Sequence, residues 1–172
     1  MVHVVLTGFM GTGKTEVGRR LARALARPFM DIDDLVEAVA GRTVAEIFAN
    51  EGEPRFRALE RAAVERACGM PDGVIATGGG TLLDPDNRRR LAAAGPIVCL
   101  TARPEAILER VGDPQSRPLL AKERGTSGRL ARIQALLAER APAYAIATHA
   151  IDTSELSLDD VVDRVRGLVA GR

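Results

Sequence analysis

The residues best suited to chemistry form a glycine-rich loop near the N-terminus, "GFMGTGKT" at residues 8–15. This loop fits the pattern G-x-x-x-x-G-K-[ST], with Gly8 and Gly13 as its fixed glycines. Glycines allow backbone N–H groups to approach an anion closely. Lys14 is predicted to reach the β- and γ-phosphates of a nucleoside triphosphate, and the Thr15 hydroxyl is predicted to bind Mg²⁺. The pattern therefore predicts a binding site for nucleotide phosphates.

Two carboxylates follow the next apolar run, at Asp31 and Asp33. If this segment is extended, residues two apart point the same way. Two carboxylates beside a triphosphate indicate metal support and activation of a nucleophile. Helix capping is the alternative, but Asp34 with Glu37 forms a capping-box-like pair and is predicted to take that role. Since the strand-like run "VIAT" ends in Thr77 and not in a carboxylate, Asp31 is expected to support the metal.

A triple glycine at 78–80 follows that same run, and such a sequence favours close approach by a ligand. Several arginines are further candidates, although each has a structural explanation when taken alone. Arg57 and Glu60 are three apart on a predicted helix and could form a surface ion pair. Arg117 stands in a loop beside a proline, and Arg140 stands near a predicted helix end, where it could complement the helix dipole.

The elements that must position these residues alternate along the chain. Apolar strand-like runs lie at 2–6, 29–32, 74–77, 97–100 and 149–152. Helical stretches are predicted at 14–26, 35–49, 55–68, 86–94, 103–111, 128–141 and 157–169. This alternation predicts an α/β fold, a doubly wound five-stranded parallel sheet flanked by helices. Ligands then bind beyond the carboxyl ends of the strands, where the glycine loop, the aspartates and the triple glycine fall.

Two segments depart from simple alternation within what is predicted to be a single domain, residues 1–172. The connection between the second and third strands is longer than a crossover needs. It predicts a small helical substrate-binding subdomain at about 33–61. A stretch rich in Gly, Pro and Ser at 112–128 is long for a loop in a compact domain. Beside a nucleotide site it is predicted to be a lid.

Bulk composition excludes several classes of partner. The net charge is +1 and aromatic residues make up 3% of the chain, so neither nucleic acid nor an anionic membrane is expected as a partner. We find no signal peptide and no apolar run of about 18 residues. Cys68 and Cys99 are interpreted as reduced thiols. These features predict a cytoplasmic protein, and the lack of sustained heptads is compatible with a monomer.

Taken together, these segments resemble the shikimate kinases, phosphate-loop enzymes with a nucleoside-monophosphate-kinase-like fold. The resemblance covers nearly the whole chain and rests on six segments in family order. They are "GFMGTGKT", "FMDID", "GRTVAEIFANEGEPRFRALE", "GGG", "RPLL" and "ERAPAY". The phosphate loop alone is common to many enzymes. The combination of D-x-D, F-R-x-x-E and the triple glycine is far more specific.

The resemblance implies transfer of the ATP γ-phosphoryl group to the 3-hydroxyl of shikimate, with Mg²⁺ as cofactor, in the biosynthesis of chorismate and aromatic amino acids. It implies catalytic roles for Lys14, Asp33 and Arg117. The implied nucleotide-binding residues are Gly11, Thr12, Gly13, Lys14, Thr15, Glu16, Arg110 and Arg117. The implied substrate-binding residues are Asp33, Arg57, Gly79 and Arg140, with Asp33 at the reacting hydroxyl and the two arginines on the carboxylate. Thr15 and Asp31 are implied at the metal.

Three alternatives remain open at this point. A gluconate-kinase-like enzyme also acts on a hydroxy acid, so arginines that bind a carboxylate do not exclude it. A GTP-dependent switch would need an N-K-x-D motif, and neither Asn50 nor Asn87 begins one. A nucleotide-binding regulator without activity is disfavoured because the lysine, the threonine and both aspartates of the predicted site are all present.

Overall fold

The computed structural model describes residues 2–112, 119–120, 122–123 and 125–170. The strands are β1 (Val4–Gly8), β2 (Phe29–Asp31), β3 (Val74–Ala76), β4 (Ile97–Thr101) and β5 (His149–Asp152). The helices are α1 (Lys14–Ala24), α2 (Ile32–Ala40), α3 (Val44–Cys68), α4 (Pro85–Ala94), α5 (Pro104–Val111), α6 (Gly125–Tyr144) and α7 (Leu158–Ala170). A short 3₁₀ turn at Thr81–Leu83 follows the triple glycine.

All five strands are parallel and lie in the order β2-β3-β1-β4-β5. β1 is central, and its Leu6 pairs with Ala76 of β3 and Val98 of β4. The doubly wound, five-stranded parallel sheet predicted from the sequence is therefore confirmed. Because the strands are parallel, the residues that follow β1, β2 and β3 meet at one edge of the sheet.

Helices cover both faces of the sheet, and alternate residues of β1 supply the two cores. Val5 packs with α2, α3 and α4 on one face, while Val4 and Leu6 pack with α1 and α7 on the other. Each of these three side chains is at most 2% exposed. Burying a Val or Leu side chain of this size contributes about 1.5–3 kcal/mol relative to leaving it exposed. This two-sided burial holds the end of β1, and so the glycine loop, in place.

The boundaries of the second and third helices differ from the prediction of 35–49 and 55–68. The helix predicted at 35–49 is interrupted at Gly41, which has φ of 65°. It is interrupted again at Thr43, which caps α3 through a capping box with Glu46. The predicted break near residue 52 is present as a kink inside α3, where Gly52 has φ of 80° and ψ of 172°. Three helical segments therefore stand where two were expected.

The remaining elements lie close to their predicted positions. β1 begins and ends two residues later than predicted, so that it leads directly into the glycine loop. Residues 125–128, which the sequence placed in the lid, form the start of α6. Positions 113–118, 121 and 124 of the predicted lid, including Arg117, lie outside the described residues.

Within the part of the chain that the structure describes, no helix combines the length and the apolar character that crossing a membrane requires.

Candidate active site

The glycine-rich loop joins the end of β1 to the start of α1. Gly8 ends the strand, and a Cβ at this position would lie 2.1 Å from the carbonyl oxygen of Leu100. Gly13 precedes the helix with φ of 90°, a left-handed conformation that glycine adopts without steric cost. Because Gly13 has no side chain, no side-chain cap occupies the N–H groups in the first turn of α1. These N–H groups, at the positive end of the helix dipole, can bind an anion.

Two side chains of the loop hydrogen-bond to its own backbone. The Thr12 hydroxyl and the Lys14 ammonium both donate to the carbonyl oxygen of Phe9, at 2.7 Å and 2.8 Å. Phe9 itself is 1% exposed and anchors the loop in the core. The ammonium group of Lys14 is therefore held beside the backbone that is predicted to surround the phosphates.

Asp31 and Asp33 do not share one extended segment, because β2 ends at Asp31 and α2 begins at Ile32. Asp31 is the N-cap of α2, and its Oδ1 accepts the Asp33 N–H at 3.0 Å. The prediction that Asp34 caps this helix is therefore wrong. The second oxygen of Asp31, Oδ2, accepts a hydrogen bond from the Thr15 hydroxyl at 2.8 Å. One carboxylate thus caps α2 and contacts the hydroxyl that is predicted to bind the metal.

Among the carboxylates of the site, Asp33 has the pKa that differs most from its ordinary value. Burial, together with the charges of Asp31 and Glu60, raises the pKa of Asp33 to about 6, and the opposing effect of Lys14 is smaller. Its Oδ1 is buried and has no hydrogen-bond partner among the described residues. A carboxylate with this pKa can accept a proton near neutral pH, which suits a general base.

Asp33 also lies between two cavities. A cavity of about 270 Å³, here called the phosphate cavity, is lined in part by Lys14, Thr15, Asp31 and Asp33. A cavity of about 400 Å³, here called the substrate cavity, is lined in part by Asp33, Arg57, Glu60 and Arg140. Because Asp33 borders both cavities, it is placed to act where a group passes from one to the other.

The triple glycine at 78–80 forms the wall between these side chains. A Cβ on the first glycine would lie 3.0 Å from Asp33 Oδ1, on the second 2.8 Å from Arg140 Nη1, and on the third 2.6 Å from Arg57 Nη2. None of these distances leaves room for a larger residue without movement of its neighbour. The three glycines therefore let three functional side chains of the same chain approach the backbone.

Arg57 is held by carboxylates on both sides. Its Nη1 donates to Glu60 Oε2 at 2.8 Å, and its Nη2 donates to Glu53 Oε1 at 3.1 Å. The interpretation of Arg57 and Glu60 as a surface ion pair is wrong, because Glu60 is 1% exposed. The other oxygen of Glu60 accepts the Thr81 hydroxyl at 2.6 Å. This pairing compensates the buried charge and fixes the guanidinium in the substrate cavity.

Arg140 enters the substrate cavity from α6 and is 3% exposed. The helix continues past it to Tyr144, so Pro142 does not end the helix as the sequence suggested. The guanidinium carbon lies 5.1 Å from the centre of the Phe9 ring, within the range of a cation–π contact. Its Nε is buried without a partner in the described part of the chain. Arg57 and Arg140 thus place two cations in one cavity.

Arg110 links the glycine loop to the segment after β5. It donates to the carbonyl oxygens of Thr153 and Ser154 at 2.8 Å and 3.2 Å, and to the Thr153 hydroxyl at 3.0 Å. A third cavity of about 210 Å³ is lined in part by Arg110, Thr153, Gly11 and Thr12.

The other predicted nucleotide residues are placed differently. Glu16 is exposed on α1 and pairs with Arg20 at 3.2 Å. Arg117 cannot be related to any cavity, since its position is outside the described residues.

Sequence reasoning missed two supporting residues, Thr81 and Tyr144. Tyr144 donates a hydrogen bond to the carbonyl oxygen of Gly79 at 2.5 Å, across 65 positions of sequence. Thr81 reaches Glu60 across 21 positions. Tyr144 ends the segment "ERAPAY", which the sequence singled out, whereas no local pattern marks Thr81. In both cases the contact itself depends on how separate elements pack.

The chain is similar to known proteins of one enzyme family over nearly its whole length. The shikimate kinase family model matches residues 10–169. The shikimate kinase of Pelotomaculum thermopropionicum is 48% identical over 166 residues, which cover 96% of this chain and 94% of the relative. The structure of the Acinetobacter baumannii shikimate kinase in complex with shikimate has a TM-score of 0.93 at 34% identity, covering 99% of this chain and 94% of that one.

A gluconokinase from Sinorhizobium meliloti is also similar in structure, with a TM-score of 0.62 over 99% of this chain and 92% of that one. Its sequence identity is 19%, so this similarity shows a shared fold alone.

Proposed function

Because the chain belongs to the shikimate kinase family, we propose that it transfers the γ-phosphoryl group of ATP to the 3-hydroxyl of shikimate. The products are shikimate 3-phosphate and ADP, within the biosynthesis of chorismate and aromatic amino acids. The observation that supports this most directly is the position of Asp33, which borders the phosphate cavity and the substrate cavity. A hydroxyl of the substrate and the γ-phosphate of the nucleotide would meet beside this carboxylate.

ATP occupies the glycine loop in this proposal. Backbone N–H groups of residues 11–15 bind its phosphates, and Lys14 exchanges its contact with the Phe9 carbonyl for the transferring phosphoryl group. The guanidinium of Arg110 lies against the adenine, since its contacts with Thr153 and Ser154 hold it beside the third cavity. Glu16, next along α1, completes the set proposed for the nucleotide.

Shikimate occupies the substrate cavity with its carboxylate between Arg57 and Arg140. Arginine suits this role because its planar guanidinium can bind a carboxylate through two parallel hydrogen bonds. The backbone of Gly79 lies against Arg140 and is free of a side chain, so it can approach the substrate. Asp33 then accepts the proton of the 3-hydroxyl while the hydroxyl oxygen forms its bond to the γ-phosphorus, and the bond to the β-phosphate oxygen breaks as ADP leaves.

Thr15 and Asp31 fit a Mg²⁺ site. Magnesium in phosphoryl-transfer enzymes keeps several waters and takes one or two oxygen ligands from the protein. The Thr15 hydroxyl and the Asp31 carboxylate are adjacent, at 2.8 Å, beside the phosphate cavity. When bound, Mg²⁺ would neutralise charge on the β- and γ-phosphates.

The proposal also covers the domain organisation, the cellular location and the oligomeric state. Residues 33–61 act as the substrate-binding subdomain, because α2 and α3 supply Asp33, Arg57 and part of the substrate cavity wall. Residues 112–128, with Arg117, are assigned to a lid on the sequence alone. The enzyme is proposed to be cytoplasmic, because the free thiols of Cys68 and Cys99 suit a reducing compartment. It is also proposed to be a monomer.

A coupled assay for ADP release across candidate acceptors tests the proposed reaction. We expect turnover with shikimate and none above the ATPase background with gluconate or nucleoside monophosphates. The reason is that the chain belongs to the shikimate kinase family, whereas its similarity to a gluconokinase, at 19% identity, is one of fold alone. A higher kcat/KM with gluconate than with shikimate would overturn the assignment.

Arg57→Ala is expected to weaken shikimate binding while leaving ATP binding nearly unchanged. A hydrogen bond to a charged group contributes roughly 1.5–3 kcal/mol, which corresponds to about 10- to 150-fold in Kd at about 1.4 kcal/mol per decade. Isothermal titration calorimetry with shikimate, and with an analogue that lacks the carboxylate, measures the effect. The analogue should bind wild type and variant alike.

Two further variants serve as controls for this measurement. Arg57→Lys keeps a cation beside the buried Glu60 but loses the planar fork, so its affinity for shikimate should fall between wild type and Arg57→Ala. Arg55→Ala removes a more exposed arginine of the same helix, paired with Glu51, and should bind shikimate as wild type does. Equal losses for shikimate and for the analogue would show that Arg57 does not bind the carboxylate.

A further inference from the structure

Tyr144 contacts Gly79, which lines the substrate cavity, without lining the cavity itself. Its hydroxyl donates to the carbonyl oxygen of Gly79 at 2.5 Å, and its ring packs against the core formed with α2 and α3. The residue lies near the end of α6, one helical turn after Arg140, so both side chains leave the same face of the helix. Tyr144 therefore reaches the same backbone segment that Arg140 covers.

Arg140 depends on its neighbours for its orientation. Its Nη1 lies against the α-carbon of Gly79, where a Cβ would be only 2.8 Å away. The Phe9 ring lies beneath the Arg140 guanidinium. A cation–π contact of this kind holds the guanidinium near the ring but does not set the direction of its hydrogen bonds. Nε is buried and has no hydrogen-bond partner among the described residues, so it does not direct the guanidinium.

Tyr144 meets the same residue as that guanidinium, because its hydroxyl bonds to the Gly79 carbonyl oxygen at 2.5 Å while Arg140 Nη1 lies against the Gly79 α-carbon. Burial raises the pKa of Tyr144 to about 12, and the nearby charge of Arg140 acts in the opposite direction. The phenol therefore stays neutral throughout the physiological range. It can give its one hydrogen to Gly79 and still offer a lone pair to the guanidinium.

We propose that Tyr144 is a positioning residue, which holds the Arg140 guanidinium and the Gly79 peptide in the single arrangement that binds substrate. The inference rests on the proposed function, since it takes Arg140 and Gly79 as parts of the shikimate site. Tyr144 itself does not line the substrate cavity and acts through these two residues. Its hydroxyl, and not its ring, carries the role.

Tyr144→Phe tests this separation because it removes the hydroxyl and keeps the ring. We expect Kd for shikimate to rise roughly 5- to 30-fold, since a hydrogen-bond partner of the partly buried Gly79 is lost beside the buried Arg140. Kd for ATP should change little, and the melting temperature should fall by no more than a few degrees. Titration calorimetry of the full chain provides both affinities, and a steady-state assay should show the loss mainly in KM for shikimate.

A double-mutant cycle with Arg140→Met shows whether the effect passes through Arg140. Methionine keeps the apolar stem, so the variant should fold while losing the guanidinium. In the Arg140→Met background, Tyr144→Phe should weaken shikimate binding far less than it does in wild type. An equal effect in both backgrounds would overturn the positioning role. If Arg140→Met leaves Kd for shikimate unchanged, the proposed carboxylate site itself is wrong.

Thr148→Val is the matched control for loss of a hydroxyl. Thr148 also donates to a backbone carbonyl, that of Ile97 at 2.8 Å, but it lies beside β4 and lines none of the three cavities. The variant should bind shikimate as wild type does. If it loses as much affinity as Tyr144→Phe, the effect reflects general loosening of the fold, and the inference fails.

The chain offers a direct spectroscopic readout, because Tyr144 is its only tyrosine and it has no tryptophan. Shikimate should change the tyrosine fluorescence of the wild-type protein, as its carboxylate draws the guanidinium of Arg140 and alters the surroundings of the phenol. In Arg140→Met, saturating shikimate should leave the fluorescence unchanged. A signal of wild-type size in saturated Arg140→Met would contradict a connection through Arg140.

Discussion

Lys14→Ala is expected to lower kcat by at least about 10²- to 10³-fold, the loss seen when one preorganised charge-stabilising group is removed from a transition state. Lys14 is held in the loop by a 2.8 Å hydrogen bond to the Phe9 carbonyl, and it borders the phosphate cavity. Its ammonium group is thus close to where charge develops on the transferring phosphoryl group. The coupled ADP-release assay at saturating ATP and shikimate measures kcat.

The fold should survive this substitution, because Lys14 lies at the first position of α1 and contributes no apolar side chain to the core. Circular dichroism and thermal melting check this point. Arg23→Ala, which removes an exposed cation from the same helix, should retain wild-type kcat. A kcat of Lys14→Ala within a few fold of the wild-type value would contradict the proposal that the glycine loop binds the phosphates of ATP.

Asp33→Asn is expected to lower kcat by about 10²- to 10⁴-fold, the contribution that a positioned general base makes. In the wild type, kcat/KM should rise with pH as the carboxyl ionises, with a midpoint near its pKa of about 6. The variant has no carboxyl to ionise, so its residual activity should lack this step. A pH–rate profile of both proteins measures the difference, and an identical acid limb in the two proteins would exclude Asp33 as the base.

The same substitution should stabilise the protein at neutral pH. Burial raises the pKa of Asp33 from 3.8 in the unfolded chain to about 6 in the folded one, so the folded state binds the proton more tightly. The free energy of unfolding of the wild type therefore falls as pH rises through this window, as the buried carboxyl ionises. Above it, Asp33→Asn should be more stable by about 1–3 kcal/mol.

Urea unfolding of both proteins without ligands, at a series of pH values from 4 to 8, provides the measurement. The two stabilities should converge below the lower end of the window, where Asp33 is protonated in both states. A constant difference at every pH would mean that Asp33 ionises in the folded protein as it does in the unfolded chain.

Where sequence reasoning about the carboxylates failed, the physical reason is local. β2 is only three residues long, so the chain enters α2 at Ile32 and Asp31 becomes the cap. A longer strand would have left the cap to Asp34, as predicted. The division at Gly41 and Thr43 could have been found, because Thr43 and Glu46 have the spacing of a capping box. The sequence therefore contains the signal for this helix boundary.

The sequence by itself determined the features that depend on neighbouring residues. Apolar strand-like runs that alternate with helical stretches specified the parallel sheet, whose inner strands β1, β3 and β4 are buried almost throughout. The glycine loop was recognisable because strand, glycines, lysine and helix follow one another directly. These elements also determined which edge of the sheet carries the site, since parallel strands all end on the same side.

Only the tertiary structure decided how the site works. The pKa of Asp33 depends on burial and on Glu60, which belongs to another helix. The triple glycine is explained by side chains that approach it from α2, α3 and α6. The support of Gly79 by Tyr144 joins positions 65 residues apart. Such contacts arise when separately formed elements pack together. The spacing of residues along the chain therefore does not predict them.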